Sequence, residues 1–210
     1  MRLFILMMFF LFLVGSRTQA QENLPLPAHE SVEPLSSSEK ELWRVRLEKK
    51  LNMVQTLAAD FEQSGGADVL RGQITLARPN RLRLAYMPPP RWFFIGTGEQ
   101  FVYYDADLKQ VTYISEEDVP VAFLLQPSIS LEQKDLKFTF YEGNDDLYVL
   151  TSRPGKAACT FSFDKKTLEL RGWYFFDQNG LLVTVRLSNI VLNKKVNNDL
   201  FKFTDPNRPK

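Results

Sequence analysis

The sequence predicts a mainly β fold with an α lid: about ten or eleven antiparallel strands, one long N-terminal helix and one or two short inserted helices. Short segments from residue 69 onwards alternate apolar and polar side chains with a period of two, which is typical of half-buried strands. Glycine, proline, asparagine and aspartate separate these segments, as in an antiparallel meander. Strands and long helices do not alternate, which disfavours a parallel sheet.

Residues 69–86 predict two strands that meet at a sharp corner. Pro79 ends the first strand and Asn80 supports the turn. Arg78 lies at this corner, and its five donors require acceptors from another part of the chain. Those acceptors could be carbonyls of the sheet edge, a local carboxylate or a more distant element.

A long helix is predicted from about residue 37 to about Asp60, because Ser36 and Ser38 both begin capping-box patterns. Its apolar residues mostly follow three- and four-residue spacing and form one stripe. They are Leu42, Val45, Leu47, Leu51, Val54, Leu57 and Ala58. A helix that packs on the core and a helix that serves as a lid both need such a stripe, so the pattern leaves the two open.

The strand rhythm is interrupted at residues 116–133. Glu116, Glu117 and Asp118 suit a helix N-terminus, and a short apolar helix is predicted from Val119 to Leu125. Residues 128–131 predict a second short helix or a turn. These segments fit either a lid or a simple cap of the core. Strands resume at Leu136, and a last short strand is predicted at Leu200–Phe203.

The N-terminus has the pattern of a secretory signal peptide, with Arg2 before a 12-residue apolar run from Leu3 to Val14. Cleavage is predicted after Ala20, and an uncleaved tether is the alternative. No cysteine lies at the cleavage site, so we expect no lipid anchor. Residues 21–35 predict a flexible leader. We therefore expect a periplasmic protein.

Composition excludes several classes of function. Removal of residues 1–20 leaves 24 basic against 25 acidic residues, so no nucleic-acid partner is expected. Cys159 and His29 are the only cysteine and the only histidine, which disfavours a disulfide, a Ser-His or Cys-His nucleophile and a zinc site. No phosphate-binding loop or dinucleotide motif is present. We expect no enzyme, cofactor or metal, and we expect Cys159 to be a small buried residue rather than a reactive thiol.

Several motifs in one order resemble the LolA family of periplasmic lipoprotein carriers over roughly residues 40–206. They are Phe61-x-Gln63, Gly72, Leu76, Arg78-Pro79-Asn80, Gly98, Phe101-Val102-Tyr103-Tyr104-Asp105, Gln110-Val111-Thr112 and Phe201-Lys202-Phe203-Thr204-Asp205-Pro206. Each motif alone is weak, whereas their order and spacing together are specific.

The resemblance implies an incomplete, strongly curved antiparallel half-barrel covered by helices, in a single domain at residues 36–206 with a tail at 207–210. It implies a cavity for the acyl chains of lipoproteins. The expected partners are acylated lipoproteins as cargo, an inner-membrane lipoprotein-releasing ABC transporter, and an outer-membrane receptor lipoprotein or an equivalent. We expect a monomer.

The resemblance also implies site residues. Arg78, with Pro79, corresponds to the family's latch, an arginine that hydrogen-bonds to lid-helix backbone. The cavity lining is predicted from one strand face: Leu82, Leu84, Trp92, Phe94, Phe101, Tyr103, Phe138 and Phe140. The lid side is predicted as Leu47, Leu51, Val54, Val121, Leu124 and Leu125.

The chain departs from the family pattern at two places. Leu82 and Leu84 replace aromatic residues after the R-P pair, and the C-terminal tail is short. Cargo preference and partner specificity therefore need not match those of the family. The alternative function is a related periplasmic module of the same fold that binds lipid or glycolipid, as a sensor or a receptor-type subunit.

Overall fold

The computed structural model describes residue 25 and residues 32–66, 68–89, 91–177 and 179–207. The predicted signal peptide at residues 1–20, its cleavage after Ala20, and His29 lie outside these residues. No helix within the described ranges is both long enough and apolar enough to span a membrane. The predicted fold class is confirmed, because antiparallel strands dominate the described residues, where one α-helix and short 3-10 helices accompany them.

Strands, the α-helix and the 3-10 helices are numbered separately in chain order. They are β1 (Glu33–Pro34), α1 (Ser37–Asn52), β2 (Thr56–Ser64), β3 (Leu70–Ala77), β4 (Arg81–Tyr86), β5 (Trp92–Thr97), β6 (Phe101–Asp105), β7 (Gln110–Ile114), η1 (Glu116–Asp118), η2 (Pro120–Leu125), β8 (Lys137–Glu142), β9 (Asp146–Ser152), β10 (Cys159–Asp164), β11 (Leu170–Phe176), β12 (Leu182–Leu192) and η3 (Asn198–Phe201).

The chain divides into two compact units. Among the described residues, the first comprises those within the ranges 25–49, 63–68 and 130–186. Its strands follow the order β1-β8-β9-β10-β11-β12 with antiparallel pairing. Strands β9 and β10 are buried almost continuously, so side chains on both of their faces are covered. Large apolar residues such as Phe161 and Phe163 therefore supply the core of this unit.

The second unit comprises the described residues within the ranges 50–62, 69–129 and 187–207. Its strands follow the order β12-β2-β3-β4-β5-β6-β7, and the pairings from β3 to β7 are antiparallel. The predicted corner is confirmed: β3 and β4 flank residues 78–80, and Asn80 has a positive φ of 52°. Burial alternates along β4 as the sequence predicts, with Leu82, Leu84 and Tyr86 buried.

Helix α1 is shorter than predicted. It begins with the predicted capping box, in which the backbone N–H of Ser36 donates to the Glu39 carboxylate at 3.1 Å. It ends at Asn52, where the N–H of Val54 donates to the carbonyl of Leu51 in a tight turn. The extension to residue 60 was wrong, because residues 56–64 form β2 with alternating burial.

The predicted apolar stripe of α1 is also divided. Leu47 and Leu51 are buried, whereas Leu42 and Val45 lie on the exposed side of the helix. Since i and i+5 positions lie far apart around a helix, Leu42 and Leu47 cannot share one stripe. Of the helix or turn predicted at residues 128–131, the helix does not form. The strand predicted at Leu200–Phe203 was wrong, because that segment overlaps η3.

The leader also differs from the prediction at its end. Strand β1 lies within the segment predicted to be flexible, and it pairs with β8 through Glu33–Glu142 and Pro34–Tyr141. The N–H of Leu35 continues this pairing by donating to the carbonyl of Phe140 at 3.2 Å. Proline is compatible with such an edge position because the strand needs few ladder donors there.

Candidate functional site

The corner between β3 and β4 fixes the position of Arg78 in the second unit. The N–H of Arg78 donates to the carbonyl of Gln55 at 3.0 Å, and the N–H of Asn80 donates to the carbonyl of Leu125 at 2.9 Å. Ala77, at the end of β3, is buried. The backbone of the corner is therefore tied both to the segment after α1 and to the end of η2.

The guanidinium of Arg78 joins two elements. Its Nε donates to the carbonyl of Leu124 in η2 at 3.0 Å, and its Nη2 donates to the carbonyl of Leu51 in α1 at 2.6 Å. The residue is only 7% exposed, and Nη1 has no hydrogen-bond partner among the described residues. Burial lowers the pKa of Arg78, but an arginine starts so high that it stays charged at neutral pH.

Asn52 forms a second connection beside this one, which the sequence analysis missed. Its side-chain amide donates to the carbonyl of Ile129 and accepts from the N–H of the same residue, both at 2.8 Å. The end of α1 is thus bonded to the segment after η2 through Asn52 and to η2 itself through Arg78. A terminal asparagine on a helix is too common a feature for the sequence to reveal a partner 77 residues away.

Six of the predicted lining residues share one face of the second unit. Register places Leu84, Phe94 and Tyr103 opposite one another across β4, β5 and β6. Leu82 and Phe101 lie in the next row with Gly96 between them, where a Cβ would come within 2.7 Å of the Phe101 ring. Trp92 lies on the same face and is the only half-buried member of the six. Residues directly opposite on antiparallel strands point to the same side, so this face is continuous.

The other two predicted lining residues, Phe138 and Phe140, lie in the first unit on one face of β8. Register extends that face across β9, β10 and β11, and its members there were not predicted as lining. They are Val149, Thr151, Cys159, Phe161, Trp173 and Phe175. Their period-two alternation was visible in the sequence, and it would have identified them once the β8 face was chosen.

Five of the six predicted lid residues lie on helices. Leu47 and Leu51 are buried on α1, and Val121, Leu124 and Leu125 are buried on η2, which is a 3-10 helix. Val54 is the exception, because it follows the last residue of α1 and is only half-buried.

Titratable groups suited to metal binding do not cluster in the described residues: no group of three or more histidine, cysteine, aspartate or glutamate side chains is placed to hold an ion. Cys159 is a free, buried thiol, and burial raises its pKa far above the usual range. Burial also raises the pKa values of Tyr86 and Tyr103. These shifts favour neutral side chains on an apolar face.

Comparisons with known proteins agree on one family. The family model described as "Outer membrane lipoprotein carrier protein LolA" matches residues 52–204. An uncharacterised protein of Rickettsia prowazekii (strain Madrid E) is 27% identical over 160 residues, which cover 74% of this chain and 74% of that protein. An outer-membrane lipoprotein carrier protein of Haemophilus ducreyi (strain 35000HP) is 30% identical over 172 residues, covering 76% of this chain and 80% of that protein.

Among solved structures, an uncharacterised conserved protein from Thermus thermophilus is similar, with a TM-score of 0.48 and 14% identity over 81% of this chain and 96% of that chain.

The family model covers well over half of the present chain. The motifs around Arg78 and the family match together establish that the chain belongs to the LolA family of outer-membrane lipoprotein carrier proteins.

Proposed function

We propose that this protein is a periplasmic carrier that binds the acyl chains of lipoproteins and transports them to the outer membrane. Membership of the LolA family supports this role, since curated relatives bear the name of outer-membrane lipoprotein carrier. We propose that it receives cargo from an inner-membrane ABC transporter and delivers it to an outer-membrane receptor lipoprotein. A carrier of this kind performs no chemistry on its cargo, so no catalytic residue is assigned.

The continuous apolar face of β4, β5 and β6 is the proposed contact surface for acyl chains in the second unit. Transfer of one methylene from water to an apolar surface gains about 0.8 kcal/mol. A chain of about sixteen carbons therefore gains on the order of 10 kcal/mol. This free energy of acyl-chain burial suffices to keep the cargo bound during transport through water. Release of the cargo then requires a competing interaction within the carrier or its receptor.

The observation that carries the proposal is the bonding of Arg78. One side chain, fixed at a strand corner, holds the carbonyls of Leu51 and Leu124 on two different helices. Hydrogen bonds to a charged donor are worth roughly 1.5–3 kcal/mol each. Two such bonds are strong enough to keep an apolar face covered and weak enough for cargo to displace. We therefore assign Arg78 the latch role, with Pro79 stiffening the corner.

The transfer assay uses cargo lipoprotein released from inner membranes and then presented to outer membranes. Arg78→Leu is expected to leave the protein folded and able to load, and to slow delivery to the outer membrane. Arg71→Leu is the matched control, because Arg71 is an exposed arginine on the adjoining strand that pairs with Glu62. Unchanged delivery by Arg78→Leu would remove the latch assignment.

A second measurement tests the cargo class. The protein is purified after export, extracted with organic solvent and analysed by mass spectrometry. Acylated peptide is the expected ligand for a lipoprotein carrier. Recovery of phospholipid or glycolipid, with no acylated peptide, would instead support the lipid-binding sensor or receptor-type module.

A further inference from the structure

Four side chains of α1 form a surface that contributes nothing to the protein core, and we call it the outer face of α1. It consists of Leu42, Val45, Arg46 and Lys49, which are spaced three or four residues apart and are therefore neighbours on one side of the helix. All four are exposed, Leu42 by 60% and Val45 by 50%. Leu47, on the opposite side, is fully buried. The helix is thus apolar on two sides, and packing accounts for only one of them.

The charges of this face are positive and largely unneutralised. Arg46 lies over the ring of Trp43, with its guanidinium carbon 4.4 Å from the ring centroid, and Lys49 is exposed. The glutamates that flank the face have other partners. Glu41 and Glu48 both pair with Arg44, and Glu39 is bonded to Ser36 in the capping box. Two cations therefore border two apolar side chains, and neither cation forms an ion pair within the described ranges.

We propose that the outer face of α1 binds the surface of a bilayer that contains anionic phospholipid. Leu42 and Val45 enter the boundary between headgroups and acyl chains, while Arg46 and Lys49 contact lipid phosphates. The Trp43 ring beneath Arg46 suits the same boundary, where aromatic side chains with a polar edge are favoured. This contact is reversible because only two apolar side chains insert.

A lipid surface fits this face better than a protein partner does. A stable protein interface needs about 800 Å² and 20–30 residues from each partner. Four residues on a convex helix fall far short of that, but they suffice for weak attachment to a continuous anionic surface. The proposal does not depend on the acyl-chain carrier role, since it uses none of the residues assigned to the latch or the lining.

The test is co-sedimentation with vesicles, using protein recovered after export so that parent and variants share the same processed N-terminus. One set of vesicles contains equal parts of phosphatidylglycerol and phosphatidylcholine, and the other contains phosphatidylcholine alone. The parent is expected to bind the first set and not the second, and the binding is expected to weaken with added salt. Circular dichroism melts confirm that each variant is folded.

Two double variants separate the contributions. Arg46→Gln with Lys49→Gln should weaken binding roughly 25-fold, since each cation near such a surface is worth about fivefold. Leu42→Ser with Val45→Ser should weaken it on the order of tenfold, with the cations intact. The control is Lys194→Gln with Lys195→Gln, which removes the same charge from two exposed lysines elsewhere.

Three results would overturn the proposal. The first is failure of the parent to bind anionic vesicles. The second is equal weakening by the Lys194 and Lys195 control, which would make the attraction a property of net charge alone. The third is binding to a polyglutamate peptide without binding to vesicles, which would assign the face to an acidic protein segment instead.

Discussion

Replacement of Arg78 by methionine should destabilise the protein less than replacement by lysine, although lysine keeps the charge. Methionine removes the two hydrogen bonds to Leu51 and Leu124, which are worth roughly 3–6 kcal/mol together before compensation. It also removes a buried cation whose Nη1 lacks a partner among the described residues, and burial of a charge costs several kcal/mol. The carbonyl of Leu51 still accepts a hydrogen bond from the N–H of Val54, so it is not left without a donor in the methionine variant.

The net loss for Arg78→Met is therefore about 1–2 kcal/mol in the free energy of unfolding. Lysine has a single ammonium nitrogen, so it cannot bond both carbonyls as the Nε and Nη2 of arginine do. Its compact ammonium is also more strongly hydrated than a guanidinium. The charge remains buried with fewer bonds, so Arg78→Lys should cost about 2–4 kcal/mol.

Urea unfolding at neutral pH, followed by tryptophan fluorescence and circular dichroism, measures both variants. Arg71→Met and Arg71→Lys serve as controls, because an exposed ion pair contributes at most about 1 kcal/mol. A lysine variant as stable as the methionine variant, or more stable, would contradict the reasoning. It would mean that a buried positive charge at position 78 does not lower the free energy of unfolding.

Three further predictions concern the surrounding structure. Asn52→Ala should speed hydrogen exchange at the Ile129 amide about fivefold, because one bond to Asn52 is worth about 1 kcal/mol. Unchanged exchange would show that the bond is not formed in solution. Gly72→Ala should lower the free energy of unfolding by about 1–3 kcal/mol, since a Cβ would lie 2.3 Å from a carbonyl oxygen of β4, and an unchanged urea midpoint would contradict this. The pKa of Asp164 is held at about 2, chiefly by the backbone N–H of Thr167, so its stabilising contribution is present above its unfolded value of about 3.9 and is lost as the pH falls towards 2. Asp164→Asn should therefore make the thermal midpoint less sensitive to pH over that interval, and an equally steep acid loss in the variant would place the effect elsewhere.

The strands around the corner could be predicted from local pattern because each alternates with one period. In β4 the leucines and Tyr86 face one side, and Arg81 and Arg83 face the other, so no second interpretation competes. The cross-strand rows that join Leu84 to Phe94 and Tyr103 follow from that alternation and from short turns. Most of the proposed lining was therefore accessible from sequence.

The end of α1 was not predictable in the same way, because residues 51–61 satisfy two periods at once. Leu51, Val54 and Leu57 continue a helical spacing, while Leu57, Ala59 and Phe61 alternate as in a strand. Neither glycine nor proline intervenes to mark a boundary. The strand forms because β2 lies between β3 and β12 in the sheet, and its place beside β12 joins residues far apart in the sequence, which local pattern does not contain.

The acceptors of Arg78 were invisible to sequence for a different reason. They are backbone carbonyls, which every residue carries, so no side chain marks Leu51 or Leu124 as partners. The resemblance to the family supplied what the residues alone left open. The exposed position of Leu42 and Val45 was likewise missed, because a list of apolar residues does not show which of two helix sides meets the core.

The choice of carbonyl partners has a consequence for how the proposed latch would work. A carboxylate partner would bind the guanidinium more tightly and would release it when protonated, so closure would depend on acidity. Carbonyls do not titrate, and a guanidinium bonded to them, with Nη1 unpaired within the described part of the chain, remains under-compensated in its buried position. Breaking the two bonds lets the cation regain water, which offsets part of their loss. Closure by Arg78 would therefore be weak at any ordinary pH, and apolar cargo alone could supply the free energy that opens it.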